Sequence, residues 1–119
     1  MKYLLLICGD ERTLNGTDLP EDQLAKRMQG WADYSQQLVA ADKIRAGERL
    51  RPTTTATTLR SNGNGQRLIS DGPFAETKEQ LGGFYVIEAK DLDDAVDWAG
   101  KMPHLAYGGA VEIRPIWEM

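Results

Sequence analysis

The sequence has few of the residues from which metal sites and disulfide networks are built. Its 119 residues include one cysteine, Cys8, and one histidine, His104. A single cysteine excludes a disulfide within the chain, and a zinc site needs more cysteine and histidine ligands than this chain offers. We therefore expect no metal and no resident cofactor.

Long hydrophobic runs are also missing. The apolar segment from Tyr3 to Cys8 spans six residues, whereas a signal-peptide core needs about 7–15 residues and a membrane span roughly 18. Ile7 is also larger than the residue that cleavage sites prefer before the cut. We therefore expect a cytoplasmic protein with no membrane partner.

The sequence also has no excess of basic residues. Fourteen lysines and arginines stand against eighteen aspartates and glutamates, which gives a formal net charge of −4. Nucleic acids and anionic membranes are bound by net basic surfaces, so neither is expected as a partner. The composition, 41% hydrophobic and 27% charged, is that of an ordinary folded domain rather than of a disordered chain.

The chain up to Asp42 predicts a strand followed by a long helix. Tyr3–Cys8 is apolar at every position, which predicts a central strand buried on both faces. Gly9–Thr17 is polar and typical of a turn. Asp18 is the predicted N-cap of the helix, with Glu21 as its capping-box partner. The stripe expected to face the sheet consists of Leu24, Met28, Trp31, Ser35 and Leu38.

The remainder of the chain predicts a hairpin, a second helix and further strands. Ser61–Gly65, which contains two Asn-Gly pairs, is the strongest turn signal and predicts an exposed hairpin. Asp91 is the predicted N-cap of the second helix, which ends at Pro103. The expected strands are Gly47–Arg51, Thr54–Arg60, Gln66–Ser70, Phe84–Ala89 and Ala110–Trp117, with Ala75–Leu81 as a turn or short helix.

The order of these segments predicts an α+β fold, a ferredoxin-like split βαβ plait with an extra β-hairpin. Its antiparallel sheet would carry two helices on one face. The strands at Tyr3–Cys8 and Phe84–Ala89 are apolar on both faces, so the second face of the sheet also needs a cover. In a chain of this length we expect the same face of another copy, and hence a homodimer.

The most distinctive segment of the chain runs Asp71-Gly72-Pro73-Phe74-Ala75-Glu76-Thr77-Lys78-Glu79. With Leu81-Gly82-Gly83-Phe84 after it, this segment resembles the signature of the DGPF-domain, or YCII-related, family of small bacterial proteins. Further similarity lies at Met1–Leu6, Gly47–Leu50 and Val111–Pro115, so the resemblance covers residues 1–119 as one domain. It implies a dimeric α/β barrel.

The resemblance also bears on the active site. Some YCII-like relatives suggest a histidine–aspartate pair, with the histidine on the first helix. Residues Leu19 to Asp42 contain no histidine here, so that mechanism is not transferred. Asp71 is transferred, because it stands in the matching motif. The family further implies an association with extracytoplasmic-function sigma factors, inferred from genomic setting.

Four residues are candidates for a catalytic site. Asp71 would be a general acid or base at the mouth of a cavity between two sheets; alternatively, it serves its own turn, to which Gly72 contributes an unusual φ. Glu112 and Arg114 share one strand face and would project into the dimer interior; alternatively, they form an ordinary exposed ion pair. His104 is a weaker candidate, and a surface position is expected for it.

Three functions remain open at this point. The first is a small-molecule enzyme with acid–base chemistry of the lyase or isomerase kind, acting on a polar or aromatic metabolite in the inter-sheet cavity. The second is a non-catalytic ligand-binding or regulatory dimer associated with a sigma factor. The third is an obligate dimer whose motif serves only folding. The residues reveal no complete set of nucleophile, base and orienting group that would decide among them.

Overall fold

The computed structural model describes residues 1–118, which form six strands and three α-helices. The strands are β1 (Lys2–Gly9), β2 (Ile44–Arg49), β3 (Thr57–Ser61), β4 (Arg67–Asp71), β5 (Gln80–Glu88) and β6 (Ala110–Pro115). The helices are α1 (Glu11–Asn15), α2 (Glu21–Ala40) and α3 (Leu92–Ala99).

Four of the strands form an antiparallel sheet in the order β2–β5–β1–β6. The two strands that α2 connects, β1 and β2, are separated by β5, and the two that α3 connects, β5 and β6, are separated by β1. This order is that of a split βαβ plait. The α+β class and the antiparallel sheet predicted from the sequence are therefore confirmed.

Both long helices pack on one face of this sheet, as predicted. The core forms where alternate residues of β1 and β5 meet α2 and α3, because successive side chains of a strand point to opposite faces. Asp91 caps α3 as expected, since its carboxylate accepts a hydrogen bond from the Asp94 backbone at 2.9 Å. The buried apolar residues are Tyr3, Leu5, Tyr34, Leu38, Ile87, Ala89, Ala95, Ala99 and Met102.

The start of α2 differs from the prediction. Pro20 occupies the N-cap position and makes no side-chain hydrogen bond. Asp18, the predicted cap, instead forms an ion pair with Arg12 at 2.6 Å. Within the predicted stripe, Leu38 is buried, whereas Met28 has an exposed fraction of 57%.

The segment Gly9–Thr17, expected to be a turn, contains the short helix α1. The carboxylate of Asp10 caps this helix by accepting a hydrogen bond from the Arg12 backbone at 3.0 Å. Leu14 of α1 lies over Gly82 of β5, where a Cβ atom would come within 3.2 Å of the leucine side chain. The missing side chain at position 82 thus lets α1 dock on the end of the sheet.

The predicted hairpin is confirmed, and it forms a separate two-stranded sheet of β3 and β4. Its turn contains Gly63 and Gly65 at φ +88° and +83°, a backbone region that glycine adopts readily. Ile69 of β4 is 64% exposed. The segment expected as a turn or short helix, Ala75–Leu81, contains no helix, and β5 already begins at Gln80.

The face of the main sheet opposite the helices is apolar at its centre. Leu4 and Leu6 of β1 lie beside Val86 and Phe84 of β5 in the strand register. All four side chains are half-buried. Within residues 1–118, no helix covers this face. We call these four residues the uncovered face.

Candidate functional site

A pocket of about 370 Å³ lies between α2 and the helix-covered side of the sheet. Four residues of the predicted stripe of α2, Leu24, Met28, Trp31 and Ser35, line this pocket, whereas Leu38 is buried in the core. The four lining residues share one side of the helix because they recur every three or four residues. α1 contributes a further wall where it docks on the sheet. The principal apolar and aromatic lining residues are Ile7, Leu14, Leu24, Met28, Trp31 and Tyr85.

One wall of the pocket combines two aromatic rings with a hydroxyl pair. The rings of Trp31 and Tyr85 are nearly parallel, at 19°, with centroids 6.5 Å apart. The Tyr85 hydroxyl lies 2.5 Å from the hydroxyl of Ser35, and either oxygen can donate the hydrogen bond. Tyr34 packs edge-on against Tyr85, and burial raises the pKa of Tyr34. The wall therefore offers flat apolar surface beside one pair of exchangeable protons.

Two glycines shape this wall. A Cβ on Gly47 of β2 would lie 2.9 Å from Cδ1 of Tyr85, and one on Gly83 of β5 would lie 2.8 Å from the carbonyl oxygen of Glu48. Both separations are shorter than carbon contacts allow, so β2 and β5 approach as they do because side chains are absent there. The register between β1 and β5 also shifts at Gly82, so the strand pairing is irregular where these glycines lie.

Two arginines line the pocket where it meets α1. Arg49, on the same face of β2 as Gly47, donates a hydrogen bond to Oδ1 of Asn15 at 3.2 Å. Arg27 of α2 donates to the carbonyl oxygen of Thr13 at 2.6 Å. Both acceptors are neutral oxygens, so the two guanidinium charges give the pocket a locally positive edge within a net acidic chain.

His104 is buried, with an exposed fraction of 1%, so the surface position expected for it is wrong. Its Nε2 lies 2.7 Å from the carbonyl oxygen of Ala110, and its ring stacks on Trp31 at 5.4 Å. Burial lowers the pKa of His104, against the smaller opposing effect of the Ala110 hydrogen bond. The ring is therefore neutral near pH 7, and it meets the pocket through Trp31 rather than by lining it.

Glu112 and Arg114 lie together on the uncovered side of the sheet. Their side chains form an ion pair at 3.5 Å and are 56% and 70% exposed. In the strand register they stand beside Leu6 and Leu4 respectively, at the border of the uncovered face. The structure thus brings these two predicted site residues together, on the side of the sheet away from the pocket.

Asp71 lies apart from both of them, at the end of β4 in the two-stranded sheet. Its side chain is exposed, and within residues 1–118 no hydrogen bond or ion pair reaches its carboxylate. The turn is held instead by Gly72, at φ +104°, whose N–H donates to the Ala56 carbonyl at 2.8 Å and whose carbonyl accepts from Thr58 at 2.7 Å. The turn therefore does not depend on the Asp71 carboxylate.

Residues 1–118 give less support for a cysteine nucleophile, a metal site or a membrane-spanning helix. Cys8 is half-buried, and burial raises the pKa of its thiol, which keeps it protonated and a poor nucleophile near pH 7. No group of three histidine, cysteine, aspartate or glutamate side chains in this range is placed to hold a metal ion. The helices of this range are too short or too polar to cross a membrane.

Comparison with known families decides where this chain belongs. A model of the YCII-related domain matches residues 1–119. The chain belongs to the YCII-related family. An uncharacterised protein of Rhizobium meliloti (strain 1021) is 38% identical to this YCII-related protein over 117 residues, which is 98% of this chain and 92% of the relative.

A solved structure shares the fold at lower sequence identity. It is 5-chloro-2-hydroxyhydroquinone dehydrochlorinase (TftG) from Burkholderia phenoliruptrix AC1100, in complex with 2,5-dihydroxybenzoquinone. The two structures superpose with a TM-score of 0.52 at 20% identity, covering 99% of this YCII-related protein and 94% of TftG. This similarity supports the mixed α+β fold with its antiparallel sheet.

The three residues that bear the polar chemistry of the pocket with Ser35, namely Tyr85, Arg27 and Arg49, were not predicted as site residues from the sequence. Trp31 and Ser35 were recognised as part of the helix stripe, but a stripe facing a pocket has the same spacing as one facing a closed core. The position of Tyr85 directly after Gly82-Gly83-Phe84 was the available signal, because glycines in a strand often mark a close approach of backbone or ligand.

Proposed function

We propose that this YCII-related protein is a small-molecule enzyme that moves a proton on a planar, oxygen-bearing ring compound bound in the pocket under α2. The observation that carries this proposal is the pocket itself, which combines flat aromatic surface with the Ser35–Tyr85 hydroxyl pair at 2.5 Å. Ligand sites are typically concave and mostly apolar, with a few converging polar groups. In this proposal, the acid–base chemistry expected from the sequence takes place in this pocket, on the helix side of the sheet.

The hydroxyl pair supplies the proton chemistry in this proposal. Tyr85 can donate its proton to a ligand oxygen while Ser35 donates to Tyr85, or the direction can reverse, since either oxygen serves as donor. A positioned acid or base of this kind typically contributes about 10²–10⁴-fold to a rate. Tyr34 fixes the ring of Tyr85 by its edge-on contact at 5.5 Å, which keeps the hydroxyl in place.

The structural neighbour gives independent support for the class of ligand. TftG is a dehydrochlorinase and was solved with 2,5-dihydroxybenzoquinone, a planar ring carrying several oxygens. A compound of that shape matches the flat wall formed by Trp31 and Tyr85. Because the two chains share only 20% identity, the pocket of this chain carries the proposal, and the neighbour supplies the probe compound.

Proton exchange at carbon provides the experiment. The ring hydrogens of 2,5-dihydroxybenzoquinone exchange with deuterium from D₂O through keto–enol tautomers, and ¹H NMR follows their loss. We expect the protein to accelerate this exchange and Tyr85→Phe, which keeps the ring, to abolish most of the acceleration. Tyr34→Phe is the matched control, because it removes a hydroxyl that bonds the Trp98 carbonyl at 2.9 Å outside the pocket. No acceleration by the unmodified protein would contradict the proposal.

A second candidate, a non-catalytic ligand-binding or regulatory homodimer, is favoured by the uncovered face. Leu4 and Leu6 with their β5 neighbours form an apolar patch, and Glu112 and Arg114 carry opposite charges at its border. A second copy related by a twofold axis would cover the apolar centre and pair these charges across the interface. Glu112 and Arg114 would then belong to this interface rather than to the pocket, and Asp71, on the separate two-stranded sheet, would belong to neither. Association with a sigma factor would belong to this second candidate.

Two measurements separate the candidates. Light scattering at micromolar concentration is expected to give a dimer, and a monomer would count against the second candidate. Binding of 2,5-dihydroxybenzoquinone without any acceleration of hydrogen exchange would favour a binding protein over an enzyme.

A further inference from the structure

The arginines of this chain differ in what they face. Arg12, Arg45 and Arg114 each lie within 4.0 Å of a carboxylate, at 2.6, 3.6 and 3.5 Å. Among residues 1–118, the exposed Arg51, Arg60 and Arg67 have no carboxylate within that distance, and neither do Arg27 and Arg49. These two are also the arginines that line the pocket.

The hydrogen bonds of the two pocket arginines leave donors free. Arg49 donates one bond, at 3.2 Å, to the neutral side chain of Asn15, and a guanidinium carries five N–H donors. Arg27 donates to the Thr13 carbonyl, and its guanidinium lies 3.8 Å from the centre of the Tyr107 ring. Both groups are therefore oriented by neutral partners while their charges remain uncompensated.

Glu48 also lines the pocket, but its carboxylate lies more than 4.0 Å from both guanidinium groups. Glu48 lies between Gly47 and Arg49 on β2, and its register partner is Phe84. Alternation along a strand places its side chain on the face opposite to that of Arg49. The helix-covered side of β2 thus presents positive charge to the pocket, although the chain as a whole carries −4.

We infer that the ligand of this pocket is an anion, a planar aromatic or quinonoid ring with a carboxylate or enolate oxygen that Arg49 binds, assisted by Arg27. This inference rests on the proposed function for the location of the site, and it adds the charge and the orientation of the ligand. The ring packs against Trp31 and Tyr85, and the anionic group points toward α1. Guanidinium groups bind carboxylates through two parallel hydrogen bonds, which gives direction as well as affinity.

A pair of matched ligands tests the inference. 4-Hydroxybenzoate and 4-hydroxybenzamide have the same ring and nearly the same shape, but only the first is charged. Binding is followed by NMR titration of ¹⁵N-labelled protein, with the indole N–H of Trp31 as the reporter of the pocket. We expect the benzoate to bind at least about tenfold more tightly than the benzamide, and this ratio to fall at high salt because the mouth of the pocket is open to solvent.

Two variants assign the preference to a residue. Arg49→Gln is expected to bring the affinity ratio close to one by weakening benzoate binding and leaving benzamide binding unchanged. Arg45→Gln removes the same charge from the same strand outside the pocket, and it is expected to keep the ratio. A ratio near one in the unmodified protein, an unchanged ratio in Arg49→Gln, or no response of the pocket to either compound would each overturn the inference.

The two proposals fail in different ways. Equal binding of the charged and neutral compounds, together with hydrogen exchange that depends on Tyr85, would overturn the anion inference and support the proposed enzyme. A benzoate preference that depends on Arg49, without any accelerated exchange, would support the anion site and contradict the enzyme.

Discussion

Truncating Trp31 to alanine should destabilise the fold substantially. The indole contacts three aromatic rings, with centroids 6.2 Å from Tyr34, 6.5 Å from Tyr85 and 5.4 Å from His104. Replacing a core tryptophan by alanine costs about 3–5 kcal/mol, and each aromatic pair contributes about 0.5–1.5 kcal/mol beyond its buried area. Because one side of Trp31 faces the pocket and is only half-buried, we expect a loss of about 3 kcal/mol in the free energy of unfolding, near the lower end of that range.

Urea unfolding followed by far-UV circular dichroism measures this loss. The variants are compared at one protein concentration, since association would make the stability depend on concentration. Trp117→Ala is the matched control, because Trp117 is 90% exposed and its truncation should cost less than about 0.5 kcal/mol. A loss below about 1 kcal/mol for Trp31→Ala would refute the packing described for α2.

Three further predictions concern other parts of the molecule. Gly83→Ala should destabilise the protein by about 1–3 kcal/mol, as measured by urea unfolding, because the new Cβ would meet the Glu48 carbonyl oxygen at 2.8 Å; an unchanged stability would show that β2 can move away. For His104, burial lowers the pKa in the folded state, so below about pH 6.5 the unfolded chain binds the proton more readily. The free energy of unfolding should therefore fall between pH 7.5 and 5.5 by up to about 1.4 kcal/mol per pH unit, and His104→Gln should flatten that dependence. Asp71→Asn should change the free energy of unfolding by less than about 0.5 kcal/mol, because its exposed carboxylate has no partner within residues 1–118. A large loss of stability would show that the carboxylate holds the turn, whereas a loss of ligand binding or turnover at unchanged stability would place Asp71 in a functional site.

The sequence predicted the parts of the fold that depend on local patterns. The unbroken apolar run Tyr3–Cys8 corresponds to β1, Asp91 caps α3, and the Asn-Gly pairs form the turn of the hairpin. Each of these signals depends on residues close together in the chain, where backbone preferences and strand alternation act directly. The antiparallel sheet followed from their order.

The sequence-based predictions were wrong where the structure depends on contacts that the local pattern does not show. Asp18 stands three residues before Glu21, as an N-cap residue would. Its carboxylate instead forms an ion pair at 2.6 Å with Arg12, which lies in α1. The helix α1 itself is only five residues long, too short to leave a periodic apolar pattern. His104 looked like a surface residue because its neighbours resemble a loop, and only the packing of Trp31 against its ring shows it to be buried.

The candidate site was only partly predictable for the same reason. Its hydroxyl pair joins residues 35 and 85, and its arginines come from α2 and β2, so no spacing along the chain brings them together. Glu112 and Arg114 were correctly placed on one strand face, because two positions on a strand always share a face. Whether that face meets a second copy is a property of the assembly rather than of one chain.

A crystal structure of the protein with 2,5-dihydroxybenzoquinone tests the central claim most directly. Our account predicts the ring in the pocket under α2, against Trp31 and Tyr85, with an oxygen directed toward Arg49. A ring bound on the other side of the sheet, at Glu112 and Arg114, or beside Asp71, with the pocket empty, would contradict it.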